Sequence, residues 1–313
     1  MISVENLTKR YGSTLAVDDL SFEVQPGVVT GFLGPNGSGK STTMRAILGL
    51  DNPTSGRATI NGTTYRHVNA PLREVGALLD AKALNPTRSA RNHLRALAAS
   101  NNIPFSRVDE VLEFVGLASV AKKKAGSFSL GMSQRLGIAA ALLGDPPILL
   151  FDEPVNGLDP EGIRWIREFF RTLATEGRTV FVSSHLMSEM ALTADHLVVI
   201  GRGRLISTGS VSDFITTNAS QFVRVRTPRA DELERLLVTQ GARVQREDDA
   251  SLTVSSLSAE QIGETCGNAG IVLYELSPQS ASLEEAFMEM TRESVDYHGH
   301  RVDDDVAAST SGK

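Results

Sequence analysis

The sequence predicts an α/β protein: a largely parallel sheet with packed helices, an inserted helical block, and then a small α+β unit of β-α-β-β-α-β order. Three observations carry that expectation. Short apolar strands alternate with helical patterns through the first 215 residues. From about residue 83 to 144 the alternation gives way to helical periodicity alone. The charge then steps. Residues 1–215 hold 22 Lys+Arg against 20 Asp+Glu, whereas residues 216–313 hold 9 against 17, so the net charge of −6 arises in the last third.

In order, residues 2–7 and 20–24 read as strands. Residues 28–33 form an apolar, β-branched strand that ends in a glycine loop, and a helix follows over 41–50. The cluster Asn52-Pro53-Thr54-Ser55-Gly56 is a turn, with strands expected at 58–60 and 75–79. Helices are expected over 90–99, 108–115 and 131–143, the last stopped by Pro146-Pro147. Residues 148–151 are short and wholly apolar, as a central strand requires. Alternation resumes with a helix over 163–175 and strands over 179–183 and 197–200. The last unit reads as strands 222–226, 242–246, 252–255 and 271–276, with helices 230–240 and 259–268, then a helix at 283–291. The stretch from residue 294, with Asp303-Asp304-Asp305, is polar and expected to be disordered. The division is thus 1–217, 218–293 and a tail, 294–313.

Composition excludes several classes. With 41% hydrophobic and 22% charged residues, the chain has enough to bury a core. Its longest apolar run, 136–144, is too short to span a bilayer. No secretory leader is evident, and a single cysteine, Cys266, fits a reducing compartment. Net negative charge argues against a nucleic-acid partner.

The chemistry concentrates in two motifs. Gly34-Pro35-Asn36-Gly37-Ser38-Gly39-Lys40-Ser41, with Thr42 next, follows a strand and opens a helix. Its glycines let backbone N–H groups surround a phosphate, and the new helix adds its positive end. Lys40 reaches the β and γ oxygens, and Ser41 offers a hydroxyl to Mg²⁺. The second motif delivers Asp152 and Glu153 at the end of an apolar strand, the edge where α/β sheets bind ligands. Asp152 suits Mg²⁺ and Glu153 suits a base acting on water. Together they indicate a nucleoside triphosphatase.

Three further pieces narrow the class. Ser129-Leu130-Gly131-Met132-Ser133-Gln134 opens a helix, with 22 residues between Ser129 and Asp152. Gly157-Leu158-Asp159-Pro160 follows Glu153, and 32 residues lie between Asp152 and His185 in Ser183-Ser184-His185. Singly, Ser129 is as readily a helix cap and His185 a surface histidine. In this order the set resembles the ATP-binding-cassette (ABC) family over roughly residues 1–217. The resemblance implies a P-loop cassette that binds ATP and Mg²⁺. Ser129, Leu130, Gly131 and Met132 become a signature motif for a partner's γ-phosphate, Asp159 a D-loop residue, His185 a switch histidine and Tyr11 the ring stacked on adenine. It also implies a nucleotide-dependent head-to-tail dimer with another such subunit. Asp80 stands where the family has a glutamine, a carboxylate able to bind Mg²⁺ or hold a water.

Residues 75–80, 127–139 and 282–291 resemble the bacitracin- or daunorubicin-type exporter branch. That branch implies a separate integral-membrane permease subunit, residence at the cytoplasmic face of the membrane, and export of a drug, antibiotic or lipid-like substrate. The alternative is a soluble regulatory cassette acting on ribosome or nucleic acid. One motif set, no long heptads and net negative charge weigh against it.

Overall fold

The computed structural model describes residues 1–218, 222–247, 251–279 and 287. β1 (Ile2–Tyr11) and β2 (Thr14–Val24) form an antiparallel hairpin. β3 (Val29–Leu33), buried at every residue, runs into the glycine loop and α1 (Lys40–Ile47). β4 (Ser55–Ile60) pairs with β1, giving a three-stranded antiparallel sheet of order β2-β1-β4. A single turn, α2 (Pro71–Glu74), leads into β5 (Val75–Leu78). The helical block holds α3 (Ala90–Ser100), α4 (Ser106–Phe114) and α5 (Leu130–Leu142). Then come β6 (Ile148–Asp152), α6 (Pro160–Thr175), β7 (Thr179–Ser184), α7 (Met187–Thr193), β8 (His196–Gly201), β9 (Arg204–Ser210) and α8 (Val211–Asn218).

Six of these strands make one sheet of order β5-β6-β7-β3-β8-β9, parallel except for β9. The apolar runs follow from burial on both faces. Ile148, Leu150, Phe181, Val198 and Ile200 face one cluster, with residues of β1, β2, β4 and α1. Their neighbours Leu149, Phe151, Val180, Val182, Leu197 and Val199 face the other, with the helical block and α6. The helical block is joined to α6 by an aromatic group. Trp165 stacks on Phe169 with centroids 5.7 Å apart, Phe114 of α4 packs against both, and the Arg135 guanidinium lies 4.8 Å from the Trp165 ring centre.

The last unit contains β10 (Phe222–Arg226), α9 (Ala230–Thr239), β11 (Arg243–Arg246), β12 (Leu252–Ser255), α10 (Ala259–Asn268) and β13 (Glu275–Gln279). Its antiparallel sheet has the order β11-β12-β10-β13 and an apolar cluster of its own, including Val223, Val225, Leu233, Leu237, Ile262 and Cys266.

Several expectations need correction. β1 and β2 run on to a tight turn at Gly12, and β9, α7 and α8 were not anticipated. The strand expected at 271–276 forms at Glu275–Gln279. Ile271 instead closes α10, its N–H donating to the Cys266 carbonyl at 2.9 Å. Pro278, lacking an N–H, is accommodated because β13 is an edge strand. The helix expected at 283–291 and the tail lie outside the described residues, save Phe287, which is buried in the same apolar cluster as Phe214. Among the described residues no helix is long and apolar enough to cross a membrane.

Candidate functional site

The phosphate loop is fixed by close backbone approach. A Cβ on Gly34 would lie 2.4 Å from Ser38 Oγ and 2.6 Å from the Ile200 carbonyl oxygen. Gly39 has φ 105°, and a Cβ there would meet the Ala16 carbonyl at 2.6 Å. Neither position admits a side chain without displacing backbone. α1 then starts with no side-chain cap and no acidic residue in its first turn, so its N–H groups are left for an anion. Ser41 is exposed and Thr42 half-buried in that turn.

Lys40 is buried, with Nζ donating to the carbonyls of Gly34 at 2.6 Å and Pro35 at 3.2 Å. Burial holds its ammonium below the ordinary lysine range, against the opposing pull of Glu153 and Asp152. Nζ also stands 3.9 Å from Glu153 Oε1.

Parallel pairing of β6 with β7 sets Asp152 opposite Ser183. The Ser183 hydroxyl donates to Asp152 Oδ1 and accepts the Glu153 N–H at 3.0 Å. Glu153 has φ 48°, a left-handed conformation costing a β-carbon residue about 1–2 kcal/mol. Its carbonyl accepts from Gln134 Nε2 at 3.0 Å and from the Asn156 N–H at 3.2 Å. Its carboxylate lies 2.7 Å from His185 Nδ1. One side chain thus joins the loop lysine to the strand-end histidine.

Other candidate residues sit apart from this cluster. Ser129 caps α5, accepting the Met132 N–H at 3.2 Å, and Asp159 caps α6, accepting the Gly162 N–H at 2.9 Å. Leu130 is exposed on one side and packs over Gly157 on the other. A Cβ on Gly131 would stand 2.9 Å from the Gly157 carbonyl oxygen. The Tyr11 ring is 46% exposed; its hydroxyl donates to Asp51 at 2.6 Å, and Lys9 Nζ lies 4.7 Å from its centre. Asp80 is not drawn into the cluster. It is exposed and accepts the Lys82 N–H at 2.7 Å, the local turn that aspartate favours. Sequence reasoning missed Ser183 as the partner of the Asp152 carboxylate and the Glu153 N–H, and Gln134 as the partner of the Glu153 carbonyl. Both lie inside quoted motifs, but only the strand register and the path of α5 bring them to Asp152 and Glu153.

The family profile described as ABC transporter matches residues 17–156. An "Uncharacterized ABC transporter ATP-binding protein" of Bacillus subtilis (strain 168) is 36% identical over 310 residues, covering 96% of this chain and 99% of that one. The chain belongs to the ABC transporter family, as an ATP-binding subunit. The family's ATPase chemistry is its activity. A "Bacitracin transport ATP-binding protein" of Bacillus licheniformis is 44% identical over 209 residues, 66% of this chain and 68% of the relative, so the subunit is homologous to antibiotic-exporter ATPases. Among solved structures, an ATP-binding subunit of an ABC transporter superposes with TM-score 0.64 at 26% identity, covering 69% of this chain and 92% of that one. A bacterial ABC transporter cassette solved as a dimer gives 0.62 at 26% identity, over 67% and 99%. Residues 221–284 match a domain of unknown function.

Proposed function

We propose that this ABC subunit hydrolyses ATP with Glu153 as the base that polarises water, and that it powers export of a drug, antibiotic or lipid-like compound through a separate permease. The observation carrying the proposal is the Glu153 carboxylate held between Lys40 and His185. The 34–41 loop and the open N-terminus of α1 receive the phosphates, and Lys40 exchanges its bonds to the Gly34 and Pro35 carbonyls for phosphate oxygens. Ser41 and Asp152 supply the hard oxygen ligands that suit Mg²⁺, which would neutralise charge on the phosphates. His185 orients Glu153, and the Tyr11 ring stacks on the base. Ser129 and the signature turn receive the γ-phosphate bound to a second subunit, with Asp159 beside it, in a head-to-tail dimer.

The resemblance of residues 75–80 and 127–139 to exporters, and the bacitracin-transport relative, support export and a position at the cytoplasmic face of the membrane. Residues 1–217 form the cassette. Residues 218–293 form an accessory unit of ferredoxin-like topology, supported by its strand order.

The test is Glu153→Gln. ATP affinity should persist while turnover falls by two orders of magnitude or more, about the value of a positioned base. Full turnover in that variant overturns the assignment. Lys40→Ala should weaken ATP binding itself, and a pull-down from detergent-solubilised membranes should recover a permease.

A further inference from the structure

We infer that Gln134 is a positioning residue for hydrolysis: its amide holds the Glu153 backbone in the conformation that aims the carboxylate. The inference deepens the reading of Glu153 as base and rests on it.

Glu153 occupies a left-handed conformation that is unfavourable for a glutamate. Side chains from two different elements restrain its two peptide groups. Ser183 of β7 takes its N–H, and Gln134 of α5 donates to its carbonyl at 3.0 Å. The Asn156 N–H shares that carbonyl at 3.2 Å, but it belongs to the same turn and moves with it. Gln134 is therefore the tie on the carbonyl that comes from outside the turn. It is 3% exposed, and among the described residues Oε1 has no hydrogen-bond partner. Burying half an amide unsatisfied is unfavourable. A leucine or methionine would fill the same volume without that penalty, so the donor function of Nε2 is the chemical reason for a glutamine. The amide orientation is fixed by its partner, since a carbonyl oxygen only accepts.

The position of Gln134 on α5 matters as much as its bond. It lies five residues beyond the cap Ser129, about 7.5 Å along the helix axis at 1.5 Å per residue. The first turn of the same helix touches the far end of the loop that Glu153 begins, through Leu130 and Gly131 against Gly157. α5 consequently grips that loop at Glu153 and again at Gly157.

The test uses steady-state ATPase of the full chain with Gln134→Leu and Gln134→Glu, beside Glu153→Gln. Loss of a donor to a partly buried carbonyl should lower kcat about tenfold in Gln134→Leu, with KM and ATP affinity within about threefold of the parent. Gln134→Glu carries its own internal check. Ionised, it places negative charge against the carbonyl; protonated, it regains an O–H donor at the same position. Burial raises a carboxyl pKa, so the variant-to-parent ratio of kcat should climb several-fold as pH falls from 8.5 to about 6. A purely structural role would move the melting temperature and ATP affinity with kcat, whereas a positioning role moves kcat while both stay near the parent's. A Gln134→Leu kcat within twofold of the parent, or a ratio that stays flat with pH, overturns the inference. If Glu153→Gln keeps turnover, the base assignment fails and this inference with it. If Glu153→Gln is inactive and Gln134→Leu is normal, only the role of Gln134 fails.

Discussion

Replacing Ser183 with alanine removes one oxygen atom and two bonds. The hydroxyl is fully buried, donates to the Asp152 carboxylate, and accepts the Glu153 N–H at 3.0 Å. A hydrogen bond to a charged group contributes about 1.5–3 kcal/mol and a neutral one about 1 kcal/mol. Asp152 and Glu153 are half-buried, so water recovers part of both. The expected cost is about 2–3 kcal/mol of stability, or a fall in Tm of about 5–10 °C for a unit of this size. Freed on its N–H side, Glu153 should also lose about 1 kcal/mol of alignment, a fivefold drop in kcat. Ser184→Ala is the control. Ser184 is equally buried, but among the described residues its hydroxyl accepts only the Leu186 N–H, at 3.0 Å. It should cost about 1 kcal/mol and leave kcat within twofold. Calorimetry and phosphate release on the two variants decide the matter. Equal melting temperatures together with equal kcat values would refute the argument that Ser183 braces both carboxylate residues.

Three further outcomes are expected. Burial keeps Lys40 below its ordinary 10.5 despite Glu153 and Asp152, and only the protonated form attracts phosphate, so ATP affinity should decline as pH rises through a value under 10.5; titration calorimetry showing constant affinity up to 10.5 contradicts this. Gly157→Ala combines φ 77° with a Cβ 2.4 Å from the Leu130 side chain, whereas Gly12→Ala has φ 57° and open space. The first should destabilise by about 1–2 kcal/mol more than the second, and equal melting curves would remove the claimed contact. Burial raises the Cys266 thiol above its usual value, so a thiol reagent should label it only as fast as its unit opens; immediate labelling of the native protein rules that out.

The parts legible from sequence were those where local chemistry leaves few alternatives. The loop 34–41 needs glycine at positions that backbone atoms approach, and the strands β3, β6 and β7 are buried on both faces, so each announces itself as an unbroken apolar run. β9 escaped because it is a partly exposed edge strand, Arg204–Ser210, with no apolar run to mark it. The start of β2 escaped because Asp18 and Asp19 interrupt it, and Asp19 adopts φ 53° where the hairpin register shifts. The cluster of Lys40, Asp152, Glu153 and His185 was readable as motifs. Ser183 and Gln134 were not, because their role depends on which atoms a neighbouring strand and helix bring within 3 Å. Asp80 illustrates the converse: its position in the sequence fits the family pattern, yet its carboxylate serves its own turn.

The aromatic joint between the helical block and α6 has a practical consequence. Trp165 is the sole tryptophan of the chain, and it is stacked on Phe169, abutted by Phe114 from α4 and covered by Arg135 from α5. Residues of three helices, α4, α5 and α6, therefore surround one fluorophore. Rotation of the helical block would change the ring's neighbours and its proximity to a cation. Emission at the tryptophan band while nucleotide is added would read out any such rotation without a label.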